Sequence, residues 1–194
     1  MNGNQPSRRR IVGGLAVLAM LSACANAPSP RLFILSPRPA DPVGKLAAIV
    51  KMKRVTIAQY LDRPQLVRYA SANELAVSEF NRWSGQLADI VTAALVQNLA
   101  SMLPDCKVYA DTSALTLPPA DMVLEIDISR FEPDPQGTVA LAAQWVVHGK
   151  GRSDAIRLAK IEAPAKPNDA AAQVAAMNDV LAQFAFQIAT GLVA

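Results

Sequence analysis

An apolar run that ends at a cysteine near the amino terminus is the feature that most constrains this chain. Arg8, Arg9 and Arg10 precede eleven uncharged residues, 11–21, and Cys24 follows three positions later. The run is too short to span a bilayer, which needs about 20 residues, but it fits the hydrophobic region of a secretory signal. We therefore predict that residues 1–23 are removed as a signal peptide and take no part in the fold.

The four residues Leu21-Ser22-Ala23-Cys24 resemble the bacterial lipobox. In that motif, cleavage falls before the cysteine and acyl chains such as palmitate are added to its thiol and new amino group. The resemblance implies that Cys24 is lipidated and anchors the mature chain. An ordinary signal peptide, cut near Ala23 or Ala25, is the alternative. An Asp after the cysteine would suggest inner-membrane retention, so Ala25 instead indicates an anchor in the outer membrane, on its periplasmic face.

The charge balance is consistent with removal of this segment. The whole chain has 19 basic and 16 acidic residues, and the three arginines of residues 1–23 account for the excess. The mature chain is thus neutral, with 16 residues of each sign. A neutral chain without a basic cluster offers no footprint for nucleic acid.

Residues 24–31 are predicted to be the lipidated cysteine and a tether, and residues 32–194 a single domain. The tether sequence ANAPSPR is small, polar and rich in proline, and seven extended residues reach only about 22 Å. A lipidated Cys24 would leave Cys106 without a partner in the chain. We therefore read Cys106 as a small buried hydrophobe.

Hydrophobic periodicity predicts two main helices and six or seven strands. The first helix is predicted over about 84–103, with Ser84 as its N-cap and Pro104 after its end. The second is predicted from Asp169 to about Leu192. Hairpins are predicted for LVRY with NELAVSEF and for MVLEIDISRF with TVALAAQWVV, and further strands for RLFIL, residues 47–61, CKVYA and SDAIRLAKI. The pattern predicts an α/β or α+β domain, a mixed sheet with the helices packed on it.

Five stretches now occur in a recognisable order: VTIAQYLDRPQLVRY, NELAVSEFNRW, LADIVTAALVQNLASML, LEIDISRFE and VALAAQW. With the lipobox, they resemble the PqiC-like family of ABC-type transport auxiliary lipoproteins over about residues 32–192. YLDRPQLV followed by NRW is the most specific part. One departure is visible after Trp83, where the family often has an acidic residue and a proline, and this chain has Ser84, Gly85 and Gln86.

The resemblance implies a three-layer fold and a periplasmic lipoprotein that works with an inner-membrane ABC transporter and an MCE-type substrate-binding protein. Such systems move phospholipid or other apolar molecules across the envelope and maintain its integrity. The expected role is a non-catalytic accessory subunit, with homo-oligomerisation left open. The alternative is a periplasmic binding module that itself carries an apolar ligand.

Residues that could support catalysis are sparse, so we expect no enzyme activity, cofactor or metal. His148 is the single histidine, and Ser153 lies in a near match to the G-x-S-x-G elbow, but a strand is predicted where the elbow needs a helix. Glu125 and Asp127 share a strand face, which we interpret as a solvated face rather than an acid–base pair.

A predicted turn, Asp62-Arg63-Pro64, is the candidate partner-binding site, because a turn can present rigid polar groups. A purely structural turn, with a local contact between Asp62 and Arg63 or a capping contact, is the alternative. Trp83 is a second candidate, as an interface anchor, although packing in the core at the helix start fits it better. Trp145 alternates with apolar residues and is predicted to be core.

Overall fold

Two sheets and two helices make up the fold in the computed structural model, which describes residues 29–38, 40–114, 116–151 and 154–194. The predicted signal, Cys24 and Ser153 lie outside the described residues. Arg31–Ala194 form one compact unit. Its strands are β1 (Arg31–Phe33), β2 (Ile49–Met52), β3 (Thr56–Ile57), β4 (Gln65–Ser71), β5 (Glu74–Trp83), β6 (Lys107–Ala110), β7 (Met122–Pro133), β8 (Val139–Gly149) and β9 (Arg157–Ala163), and its helices are α1 (Leu87–Met102) and α2 (Ala170–Val193).

Both sheets are mixed. The smaller has the order β1-β5-β4, with β1 parallel to β5 and the hairpin β4–β5 antiparallel. The larger has the order β6-β2-β7-β8-β9, with β3 beside β7. There, β2 runs parallel to β6 and β7, whereas β7, β8 and β9 form an antiparallel meander. The α+β fold expected from the sequence, two helices on a mixed sheet, is confirmed.

The core lies between the larger sheet and the helices. Leu124, Ile126 and Ile128 are buried on one face of β7, while Glu125 and Asp127 on the other face are partly exposed. On α2, the predicted apolar stripe is almost fully buried: Val180, Leu181, Phe184, Ile188 and Leu192. The solvated face of β7 and the core face of α2 are thus as predicted. Neither described helix is both long and apolar enough to cross a membrane.

The two helices begin differently. Asp169 caps α2, because its carboxylate accepts hydrogen bonds from the amides of Ala171 and Ala172. The prediction that Ser84 caps α1 is wrong. The helix begins at Leu87, and its N-cap, Gln86, makes no side-chain capping bond. The amide of Ser84 instead donates to the carbonyl of Phe33, so this residue continues the pairing of β5 with β1.

Residues 49–57 form two strands where we predicted one, so the described strands number nine. The strand pairing is interrupted between Met52 and Thr56, where the amide of Val55 donates to the hydroxyl of Thr92 on α1. A helix side chain therefore replaces the neighbouring strand as hydrogen-bond partner. The alternation changes phase at this break, from Val50 and Met52 to Val55 and Ile57, and the two consecutive polar residues Lys53 and Arg54 were the signal that the prediction missed.

Candidate partner-binding site

The four residues singled out as partner-binding candidates lie together in the structure. Asp62, Arg63, Pro64 and Trp83 line one surface depression of about 400 Å³, with Ser84, Gly85 and Gln86 beside them. They meet because the end of β5 returns to the start of β4, where the amide of Trp83 donates to the carbonyl of Pro64 at 2.7 Å. We call Asp62, Arg63, Pro64 and Trp83 the turn surface.

The turn is held from beneath by the residues that precede it. The amide of Ala58 donates to the carbonyl of Ile128 on β7, and Leu61 is 2% exposed. The Tyr60 hydroxyl donates to the carboxylate of Glu132 at 2.8 Å. The exposed residues 62–64 therefore project from a backbone that is anchored to β7 of the larger sheet.

Glu132 is the centre of this anchor. Its carboxylate is fully buried and accepts hydrogen bonds from the Tyr60 hydroxyl, the Phe131 amide and Nε of Arg130. Burial, and then the hydrogen bond to Glu132, raise the pKa of Tyr60 far above its ordinary value. Tyr60 therefore remains a neutral donor. A buried carboxylate is stable only when it is paired and hydrogen-bonded, so this network fixes the turn.

The turn surface itself carries exposed charge. Asp62 and Arg63 are both exposed. The Arg63 side chain makes no ion pair with any described residue. Among the described residues Asp62 and Arg63 form no ion pair with each other, although their amides close the turn by donating to the carbonyls of Gln59 and Leu61. The Arg63 guanidinium is therefore available to another molecule.

The floor of the depression is the start of α1, which Arg54 holds in place. The guanidinium of Arg54 donates hydrogen bonds to the carboxylate of Asp89 and, at 2.8 Å, to the side-chain oxygen of Gln86. The hydrogen bond to Asp89 raises the pKa of Arg54. The Gln86 side chain thus binds Arg54 and does not cap the helix.

Trp83 is 5% exposed and packs in the core. It forms a wall of the depression and does not project as an anchor. This agrees with the core interpretation, as does the 4% exposure of Trp145.

The remaining candidates for chemistry do not assemble into a catalytic set among the described residues. His148 lies 3.0 Å from Asp154 and 3.5 Å from Glu125, and Lys53 binds Glu125. No three His, Cys, Asp or Glu of the described residues form a metal-binding group. The strand β9 begins at Arg157, so a strand stands where a nucleophile elbow requires a helix. Cys106 is buried, and burial raises the pKa of its thiol.

Sequence reasoning missed Tyr60, Glu132 and Arg54. A register shift in β7 explains why the burial of Glu132 was missed. Ile128 pairs with Ala143, but Arg130 pairs with Ala142, so Ser129 is an extra residue in the strand. The shift changes which side chains face the core, and Phe131 becomes buried beside Glu132. Its partner Tyr60 lies 72 residues away in the sequence, so no local pattern could identify the pair.

The fold and site together define an α+β domain that presents a rigid, charged turn next to the start of a helix. The chain belongs to the family of ABC-type transport auxiliary lipoprotein components, whose model matches residues 33–189. This confirms the family resemblance found in the sequence. The family is one of lipoproteins that are auxiliary to ABC-type transport.

Two solved structures show the same fold. One, an uncharacterized protein, aligns with a TM-score of 0.73 and 19% identity over 85% of this chain and 99% of its own. Protein XCC0632 from Xanthomonas campestris aligns with a TM-score of 0.61 and 23% identity over 86% of this chain and 94% of its own. Identities this low show fold alone. None of the functionally curated proteins matches the sequence.

Proposed function

We propose that this protein is a non-catalytic docking subunit of an MCE-type lipid transport system that helps to maintain the cell envelope. It is anchored through acyl chains on Cys24 in the outer membrane, at the periplasmic face, and its turn surface binds the MCE-type protein that extends from the inner membrane. Family membership supports a transporter partner. The observation that carries the docking role is the exposed Arg63, which makes no ion pair with a described residue, on a turn that Tyr60 and Glu132 hold in place.

The tether supports a stationary role. Six residues, 25–30, separate Cys24 from Arg31, where the compact unit begins, and they reach about 19 Å when extended. An anchored domain on so short a tether cannot carry cargo across the envelope. The transporter must therefore reach the anchored domain, which requires a binding surface of the kind that Arg63 offers.

Site-specific photo-crosslinking in intact cells tests this docking role. A photoreactive amino acid at position 63 should crosslink to the MCE-type protein. The same group at Lys160, an exposed position on β9, is the matched control and should give no such product. Equal crosslinking from both positions, or none from position 63 in a folded and anchored protein, would refute the turn surface as the contact.

The absence of a catalytic role is part of the proposal. His148→Ala and Ser153→Ala should each fully restore envelope integrity in a strain that lacks the gene. Deleting this gene and the transporter gene together should be no worse than either single deletion. Loss of function in either folded variant would support a hydrolase instead, and an additive double deletion would argue against a shared pathway.

A further inference from the structure

A second concave site lies on the other side of Trp83. This apolar cavity has a volume of about 230 Å³ and is formed by the hairpin β4–β5, the end of β7 and the start of α2. Its walls include these buried side chains: Leu61, Leu66, Trp83, Phe131 and Met177. Exposed or half-buried lining residues, among them Val77 and Asn168, mark its mouth. Polar residues, among them Arg68 and Gln173, also line it, so the site is a pocket with buried apolar walls, a partly polar lining and an opening to solvent.

One polar group of the lining can bind a ligand. Gln173 lines the cavity and is 7% exposed. No sealed polar side-chain atom of the described residues is left without a partner, so any Gln173 amide atom without a protein partner is open to water. An oxygen-bearing ligand that enters the cavity can replace this water as the partner of the amide.

We propose that the apolar cavity binds one acyl chain of an amphiphile, with oxygen atoms of its head group accepting hydrogen bonds from Gln173. Buried aliphatic and aromatic walls favour a hydrocarbon chain. Arg68, half-buried in the lining, adds a cationic donor for carboxylate, ester or phosphate oxygens. The volume is below the range of about 300–1,000 Å³ for drug-sized ligands, so it fits part of one chain and not a whole phospholipid.

The acyl chain has two sources. It belongs either to a separate lipid or to the lipid predicted on Cys24, since both offer the same hydrocarbon and ester chemistry. This inference does not depend on docking through Arg63. Its test uses the purified protein, and the docking test uses crosslinking in cells, so either can fail alone.

Tryptophan quenching by nitroxide-labelled stearic acid tests the site. The chain has two tryptophans, so Trp145→Phe leaves Trp83 as the reporter on the cavity wall. We use the mature chain without acyl groups (Cys24→Ser) and the lipidated chain, both in the same amphipol. Saturable quenching of Trp83 is expected in the unacylated chain. Equal binding by the lipidated chain identifies a separate lipid as the ligand, and about tenfold weaker binding identifies its own acyl chain.

Matched variants locate the binding. Ala76→Phe places an aromatic ring on the cavity wall, in a strand where aromatic residues are tolerated. It should abolish the saturable quenching. Leu75→Phe, on the same strand but outside the lining, is the control and should leave the quenching unchanged. Gln173→Leu should weaken binding about fivefold by removing a hydrogen bond, whereas Gln187→Leu, an exposed position on α2, should not. The proposal is overturned by absent quenching, or by quenching that Ala76→Phe leaves unchanged.

Discussion

The hydroxyl of Tyr60 donates a 2.8 Å hydrogen bond to the fully buried carboxylate of Glu132. This contact joins the segment before the exposed turn to the last residues of β7. Because Glu132 has no access to water, each donor that it loses leaves its charge less compensated. The stability of the domain and the geometry of its turn surface therefore depend on the same bond.

Removal of the Tyr60 hydroxyl should destabilise the fold. We expect Tyr60→Phe to lower the free energy of unfolding by about 1–3 kcal/mol, the range for leaving a buried polar group short of a partner. Urea unfolding followed by circular dichroism measures the change. Tyr109→Phe is the control, since the hydroxyl of Tyr109 makes an exposed 3.3 Å bond to the carbonyl of Pro118 and should change stability by less than about 0.5 kcal/mol. Equal effects would mean that the buried Tyr60–Glu132 hydrogen bond contributes no more to stability than the exposed bond of Tyr109.

Stability should also fall at alkaline pH because of Tyr60. Burial and the bond to Glu132 raise its pKa in the folded state, from an ordinary value of 10.0. The neutral hydroxyl thus stabilises the fold below pH 10.0, and this contribution is lost as the pH rises above that value. The free energy of unfolding should decline more steeply between about pH 9 and about pH 11 in the wild type than in Tyr60→Phe. Parallel profiles would show that Tyr60 titrates normally.

A charge reversal at Arg63 should separate binding from stability. Arg63→Glu should weaken association with the MCE-type partner by several kcal/mol, as reversal of an interfacial charge does. Its free energy of unfolding should change by less than about 0.5 kcal/mol, because the side chain is exposed. Co-purification and thermal unfolding measure the two effects. Lys160→Glu, at an exposed position on β9, is the control and should still bind the partner. Unfolding of Arg63→Glu would instead make Arg63 a structural residue.

Gly191 should resist a substitution that helix propensity favours. Alanine is preferred over glycine in a helix by about 1 kcal/mol, but a Cβ here would lie 2.5 Å from Cη2 of the buried Trp145 ring. Overpacking costs about 1–3 kcal/mol, so Gly191→Ala should lower the free energy of unfolding. Denaturant unfolding checks this. Gly85→Ala, whose Cβ would meet nothing closer than 4.0 Å, is the control. Trp145→Phe should cost less in the Gly191→Ala background than alone, and additive effects would rule out the clash.

Lipidation of Cys24 is a prediction from the sequence. Mass spectrometry of the mature protein should find a diacylated or triacylated Cys24 at its amino terminus. Cys24→Ala should remove the acyl chains and release the protein from the membrane fraction, because stable anchoring takes at least two chains or equivalent signals. An unmodified amino terminus at Ala25 or Asn26 would support an ordinary signal peptide instead.

The sequence by itself predicted the features that local patterns encode. The apolar stripe of α2, its start near Asp169 and the β4–β5 hairpin all follow from hydrophobic periodicity. The strand alternation also placed Glu125 and Asp127 on the solvated side of β7. Each of these depends on residues within a few positions of one another, so a linear pattern is sufficient to find them.

The tertiary structure alone decided where α1 begins, which group pairs with Val55 and which groups support the turn surface. Arg54 holds Gln86, Thr92 takes the place of a strand beside Val55, and Glu132 receives the hydroxyl of Tyr60. The apolar cavity likewise depends on β5 and α2, which are distant in the sequence. Such contacts have no period, because the partner of each group is set by the path of the chain through space. One extra residue in β7, Ser129, was enough to change which side chains face the core.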